Sequence, residues 1–383
     1  MKVLQINKAF YPEIGGIEKV ALDICEQISN EIEMEVLVAN NKYKNKIEYI
    51  KDVKVTKLGS LGKLFSMPIA PLFPLYLGKY TDVDVLHFHF PFPLGEASYL
   101  FNILLNKRMR NKPTIVTWHS DIIKQKNILK VYKPFLNKFL KQVDYIVATS
   151  PNMIENSPFL NDNKNKCKVI PLGIDPSKFT LNEYIEDKVK IIKKEYTRTK
   201  VFFMGRLVYY KGVSYLIDAV KSLDVDLIIG GTGPLIDDLK KQVDELKIQE
   251  KVHFIGYIKD EDLPAYYYAS DIFVLPSVES SEAFGIVQLE AQVCGTPVIS
   301  TNLPTGVPYA NLNDVTGLVV EPKNSEELRK AIKTLIEDEK LRTRLGNQAK
   351  QRVLQEFTTE KMGERYLNLY KEINQIYERK GIR

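Results

Sequence analysis

The sequence predicts an α/β protein of two domains, each built on a largely parallel sheet. Three observations carry this. The chain has 383 residues, too many for one ordinary core and suited to two domains of about 150 to 200 residues each. Short apolar, β-branched runs alternate with amphipathic helical patterns, the order expected of parallel βαβ units. The alternation then breaks at a charged, irregular stretch, 176–199, and starts again at 200. The expected division is 1–178, 179–365 and a closing helical segment, 366–383.

Taken in order, the first unit opens with a strand at 2–7, a loop to Gly16 and a helix over 17–30 with Val20, Ala21, Ile24, Cys25 and Ile28 on one face. Gly15 and Gly16 stand just before that helix, where backbone can pass close to a phosphate or sugar. Strands follow at 35–39 and 53–58. The apolar stretch 61–77 contains Lys63 and prolines at 68, 71 and 74, so it forms no uninterrupted spanning helix. In the strand at 84–88, extended by His89, the histidines His87 and His89 fall on one face near its carboxyl end, where an open α/β sheet binds ligands. They either line an acceptor pocket or simply pack. A metal pair would need a third ligand of suitable spacing, and none follows. The next strand, 113–118, runs straight into His119, Ser120 and Asp121.

Segment 124–142 carries lysines at 124, 126, 130, 133, 138 and 141, interleaved with apolar residues and no acid. It reads as a contact for anionic lipid headgroups and as a surface helix whose apolar stripe faces its own sheet, two readings that are compatible. Strands at 144–148 and 168–171 complete the first half. The second half begins with a strand at 200–204 that delivers Arg206, and Lys211 heads the next helix. Two cations there suit a diphosphate. The glycine-rich turn at 230–233 is a poor dinucleotide fingerprint, because Pro234 stands where a helix would have to open. A third strand, 252–258, ends at Ile258, whose backbone could pair with a base. Tyr266, Tyr267 and Tyr268 read as helix core, 270–277 as the strand feeding the next motif, and 325–379 as largely helical.

Composition narrows the partners. A net charge of +6 is mild for a nucleic-acid binder but compatible with an anionic ligand or membrane surface. Cys25, Cys167 and Cys294 are widely spaced, which points to free thiols in a reducing cytoplasm. The chain opens on a strand, without the pattern of a signal peptide. A cytoplasmic protein is expected, with peripheral contact at the inner membrane face through 124–142.

The segment 280–300, SSEAFGIVQLEAQVCGTPVIS, sets Glu282 and Glu290 eight positions apart. Ser280, Ser281 and Glu282 offer capping oxygens, 284–294 has helical spacing, Gly295 stops it and a strand follows. The N–H groups of Ala283, Phe284, Gly285, Ile286 and Val287 would face a pocket at the positive end of the helix, which suits a diphosphate. Acids beside a phosphate are tolerable if they meet hydroxyls. The ligand chemistry is then a diphosphate with a hydroxyl-bearing ring at either end, as in a nucleotide sugar.

This run resembles the E-x7-E signature of family-four retaining glycosyltransferases of the GT-B fold. The resemblance implies two Rossmann-like domains facing a central cleft, with a final helix crossing back to the first. It implies that Glu290 holds the ribose and that Glu282 lies near the transferred sugar. Y-P-x-x-G-G-x-E resembles the family's glycine loop, which makes Gly15 and Gly16 donor contacts. T-W-H-S-D resembles its cleft histidine, so His119 and Glu282 are the expected catalytic residues. G-R-L-x-x-x-K-G resembles its diphosphate clamp, Arg206 and Lys211. T-N-L-P-T-G-V-P resembles enzymes that build bacterial surface polysaccharide on lipid-linked intermediates. The implied reaction moves a hexosyl group to a glycan or lipid-linked acceptor with retention, without metal or other cofactor. Pairs of aspartates at 82 and 84, 224 and 226, and 260 and 262 fit strand starts or surface turns better than a metal site. A nucleotide-sugar epimerase of the same shape and a non-catalytic nucleotide-sugar binder are the alternatives.

Overall fold

The structure, a computed structural model, describes residues 1–13, 15–64, 67–121 and 126–381, with backbone alone at Leu64 and 126–131. The chain divides into two units, Met1–Pro171 with Thr359–Arg383, and Leu172–Thr358. The first break precedes the expected 178 for a packing reason. Ile174 N donates to Phe357 O, and Phe179, Ile185 and Ile192 enter the second unit's core. The closing helix, Thr359–Arg379, belongs to the first unit from its first turn instead of from 366. Met362 is already buried there, and the helix packs along Gly16–Ile28.

The first unit contains β1 (Lys2–Asn7), β2 (Glu33–Ala39), β3 (Lys46–Ile50), β4 (Val53–Leu58), a two-residue hairpin of β5 (Lys63–Leu64) and β6 (Met67–Pro68), β7 (Val85–Phe90), β8 (Thr114–Trp118), β9 (Tyr145–Ala148) and β10 (Cys167–Val169). Its main sheet runs β10-β9-β8-β7-β1-β2-β4-β3. All pairings are parallel except β3 with β4. The sequence reading missed β3, an edge strand whose Ile47 and Tyr49 are exposed. Without a buried face, no alternation marks it.

The second unit contains β11 (Thr199–Met204), β12 (Val225–Gly230), β13 (Val252–Gly256), β14 (Ile272–Leu275), β15 (Val298–Thr301) and β16 (Gly317–Val320), ordered β13-β12-β11-β14-β15-β16 and wholly parallel. Strands buried on both faces explain the near-continuous apolar runs VFF, LII and FVL. In each unit the first strand lies inside the sheet, and the chain winds outward on one side before crossing to the other. Such a reversal leaves a crevice at the strands' carboxyl ends. It falls between β1 and β7 in one unit and between β11 and β14 in the other.

In the basic helix Lys126–Gln142, Leu136, Phe139 and Leu140 are buried, and Phe139 meets Phe88 and Tyr99 edge-on. This part of the stripe faces its own sheet, and Lys133, Lys138 and Lys141 face solvent. Lys124 and the side chains of 126–131 lie outside the described residues. Among the described residues, no helix is long and apolar enough to cross a membrane.

Candidate active site

In the second unit, the loops after four adjacent strands bring the expected donor residues together. β11 ends at Gly205 and Arg206. Arg206 is exposed, and among the described residues no acidic side chain pairs with it. Its loop is held by the turn after β12: Gly205 N donates to Gly230 O and Leu207 N to Thr232 O. Gly231, at φ +111°, lies so close that a Cβ there would sit 2.0 Å from Gly205 O. The glycine-rich turn thus braces the Arg206 loop, a role its sequence did not reveal.

Lys211 reaches back over Gly205 and is buried. Its Nζ lies 2.6 Å from Glu282 Oε2, which also accepts from Ser277 Oγ at 2.8 Å. The glutamate therefore does not cap a helix, as the sequence reading expected. The helix begins later, at Ile286–Val293, with Gly285 as its N-cap at φ 70°, ψ 61° and no side-chain cap. A Cβ on Gly285 would meet Leu275 at 2.4 Å, so both the left-handed backbone and the packing require glycine.

This turn exposes backbone donors. Among the described residues, none accepts from the N–H of Ala283, Phe284 or Gly285. The Phe284 side chain is buried against Phe357 and Gly306, so its contribution is the backbone alone. The following loop holds the turn from below: Gly306 N donates to Ala283 O, and Gln288 Nε2 donates to Phe284 O at 2.6 Å and Val307 O at 3.3 Å. Ile286 is half-buried at the helix start. Further along, Glu290 accepts from Tyr267 OH at 2.8 Å. Tyr267 is fully buried, and burial together with the nearby Glu290 charge holds its hydroxyl well above its ordinary pKa. Ile258 lies beyond the end of β13 with its side chain in the core; among the described residues its backbone N–H and C=O have no partner.

The first unit gathers histidines instead of charges. His119 follows β8, with its Nε2 2.9 Å from His89 Nδ1, and His89 Nε2 lies 3.2 Å from Gln5 Oε1. His87 Nε2 meets Thr117 Oγ1 at 2.7 Å, and its Nδ1 meets Tyr370 OH at 2.7 Å. His87 and His89 are buried with both ring nitrogens taken. This corrects the acceptor-lining alternative for them, since neither has a nitrogen left to offer. Burial pushes His87 and His119 down to about 3, with the neighbouring His119 adding to the effect on His87, and burial takes His89 well below its usual range. All three rings are neutral at pH 7. The turn after β8 is pinned by Asp121, which accepts from Trp118 Nε1 at 2.9 Å and Ser157 Oγ at 2.8 Å. Gly15 caps Gly16–Ile28 in extended conformation, and a Cβ on Gly16 would meet nothing within 4 Å. Among the described residues, no group of three or more His, Cys, Asp or Glu could hold a metal.

Comparison with known proteins fits this geometry. Residues 14–178 match the family described as Glycosyltransferase Family 4, and 185–352 match Glycosyl transferases group 1. The chain is 34% identical over 369 residues to the D-rhamnosyltransferase WbpZ of Pseudomonas aeruginosa, covering 94% of this chain and 92% of that protein. The chain is a family-four glycosyltransferase. It is also 31% identical over 379 residues to the O-antigen chain mannosyltransferase C of Escherichia coli, covering 97% and 98%. Solved GT-B glycosyltransferases share the fold. Sucrose-phosphate synthase from Thermosynechococcus elongatus aligns with a TM-score of 0.78 at 20% identity, covering 97% of this chain and 98% of that one. Anabaena HepE in complex with UDP aligns at 0.77 and 20%, covering 97% and 100%.

Two outcomes follow from the electrostatics of this glycosyltransferase. Replacing Lys211 by Met strands the buried Glu282 carboxylate and should cost about 3 kcal/mol in urea unfolding, with Lys211→Met/Glu282→Gln recovering most of it. In the first unit, a neutral His87 stabilises the fold above the unfolded histidine pKa, and that contribution is lost as pH falls through 6.5 toward 3. The stability difference between wild type and His87→Gln should therefore shrink by about 2 kcal/mol between pH 7 and pH 5, at about 1.4 kcal/mol per pH unit below 6.5. Taking the difference removes the opposite slope from Glu96, which burial raises to about 8.

Proposed function

We propose that the donor is a nucleoside diphosphate sugar of manno configuration, and that transfer to a glycan or lipid-linked acceptor in surface polysaccharide synthesis proceeds with retention. The observation that carries the donor reading is the set of unpaired N–H groups at 283–285 in the loop cluster that also bears exposed Arg206 and buried Lys211. Two cations and a row of backbone donors make a diphosphate site that stabilises the charge growing on a departing diphosphate. No metal or other cofactor is assigned to the reaction. Glu290, oriented by Tyr267, takes the ribose hydroxyls, and the Ile258 backbone takes the base. In the first unit taken by itself, His119, with Gly15 and Gly16, offers contacts to a sugar.

Glu282 and Lys211 neutralise one another in this structure. A bound diphosphate offers Lys211 a second anionic partner, which frees Glu282 lone pairs for sugar hydroxyls. The bond from the sugar's anomeric carbon to the diphosphate oxygen breaks as the acceptor oxygen bonds to the same face. The acceptor's proton passes to the departing oxygen. The manno assignment comes from the two relatives named for rhamnose and mannose, sugars that share an axial 2-hydroxyl.

A lipid surface fits as partner through a second face besides the exposed lysines of Lys126–Gln142. On the helix Pro93–Leu105, Phe101, Leu104 and Leu105 are exposed. Lys107, Arg108 and Arg110 follow directly and are also exposed. Apolar side chains beside several cations suit an anionic bilayer, each cation adding about 1 kcal/mol.

Two measurements check these assignments. UDP, GDP, ADP and their sugar conjugates should be screened by thermal shift on wild type, Glu290→Gln and Glu290→Ala. One nucleotide should stabilise wild type by about 2.7 kcal/mol at a hundredfold excess over Kd, less so Glu290→Gln, and Glu290→Ala not at all. No shift with any of them defeats the donor reading. In vesicle flotation the protein should float with anionic but not zwitterionic vesicles, and Leu104→Ser/Leu105→Ser should stay in the dense fraction. Equal flotation of the variant removes the proposed face.

A further inference from the structure

The first unit contains a hydrogen-bonded chain with one open end. Gln5 on β1, His89 on β7 and His119 after β8 are linked at 3.2 and 2.9 Å. Gln5 is fully buried and His89 almost so. His119 Nδ1 has no partner among the described residues, yet it is absent from the enclosed unpaired atoms, which include Gln5 Nε2 and Asn7 Nδ2. Among the described residues, His119 is the more exposed end of the chain, at 7% against 1% for His89 and 0% for Gln5.

Three neutral groups joined in series share one direction, and the amide atom that faces His89 sets it. Gln5 presents its oxygen to His89, so His89 Nε2–H is the donor there, and neutral His89 keeps a bare Nδ1. His119 Nε2–H then donates to that Nδ1, which leaves His119 Nδ1 without a proton. We infer that Gln5 is a positioning residue: acting through His89, its amide fixes the tautomer of His119, so that His119 offers its ligand a lone pair and accepts a hydrogen bond from a sugar hydroxyl.

Three features support this. The chain ends on an amide oxygen, which does not take up a proton at neutral pH, so it orients His119 and does not shuttle protons. Among the described residues no carboxylate joins it, so nothing in it favours a charged imidazolium. Gln5 and Asn7 are polar residues in a central strand that is otherwise apolar beyond Lys2, and each leaves a buried amide nitrogen unpaired. A leucine at position 5 would avoid that cost, which is tolerated at sites with a task.

The inference rests on reading His119 as a sugar-side contact, but the tautomer can be read in the protein alone. The four histidines are labelled with 15N, and long-range 1H–15N correlations show which nitrogen of each ring carries the proton. Single replacements assign the signals. Wild type should show His119 protonated at Nε2 and bare at Nδ1. Gln5→Leu should lose the single tautomer and lower kcat roughly 5- to 30-fold with the donor's KM little changed, the loss expected for one hydrogen bond's worth of orientation. A wild-type His119 protonated at Nδ1, or an unchanged tautomer in Gln5→Leu, overturns the inference. The expected tautomers together with absent donor binding uphold the role of Gln5 in fixing the His119 tautomer and count against the donor reading alone.

Discussion

The buried pair of Lys211 and Glu282 is the interaction on which the donor loops of the second unit depend. Neither charge would stay desolvated without the other, and a lone buried ion costs several kcal/mol. Because they meet at 2.6 Å, the loop after β11 is tied to the loop after β14, and Ser277 adds a second tie to the same carboxylate oxygen. From this junction the chain enters the left-handed turn at Gly285 and then the helix Ile286–Val293. The position of the three unpaired N–H groups follows from it. The pair therefore holds two buried charges that neutralise one another.

The first unit solves a different problem. Its histidines are neutral because they are enclosed, and enclosure makes the direction of each hydrogen bond matter more than any charge. Tyr370 and Tyr366 from the closing helix supply hydroxyls to His87 and Thr117. The helix Thr359–Arg379 is thus part of the polar interior of the unit it covers, which is why that unit is completed by the end of the chain.

Much of this could be read from the sequence, and what escaped has a common cause. Alternating strand and helix patterns located parallel strands such as β8, β11 and β14, because doubly buried strands are largely apolar. The motifs around Gly205, Lys211 and Glu282 marked loops that the second unit brings together, because each follows the end of an apolar strand. The start of the helix after Glu282 was placed too early, since a serine and an acid ahead of an apolar run look like a cap, and only the packing of Leu275 shows that Gly285 makes the turn. Tyr267 sits in a run of three tyrosines, and nothing local says which of them faces Glu290. Gln5 and Asn7 did leave a signal as polar residues alternating within a central strand. Its meaning needed a second strand, since only the β1–β7 register sets Gln5 within reach of His89.

The two units thus hold reactive groups in opposite ways. In the second, charge is balanced by charge, so a ligand that brings phosphate shifts a balance already present, and its effect weakens with salt only where the groups are exposed, as at Arg206. In the first, dipoles are set by other dipoles, and no ion needs to be screened or released. A histidine held this way discriminates by hydrogen-bond direction, accepting a hydroxyl and refusing a bare oxygen. That selectivity suits a sugar more than a phosphate.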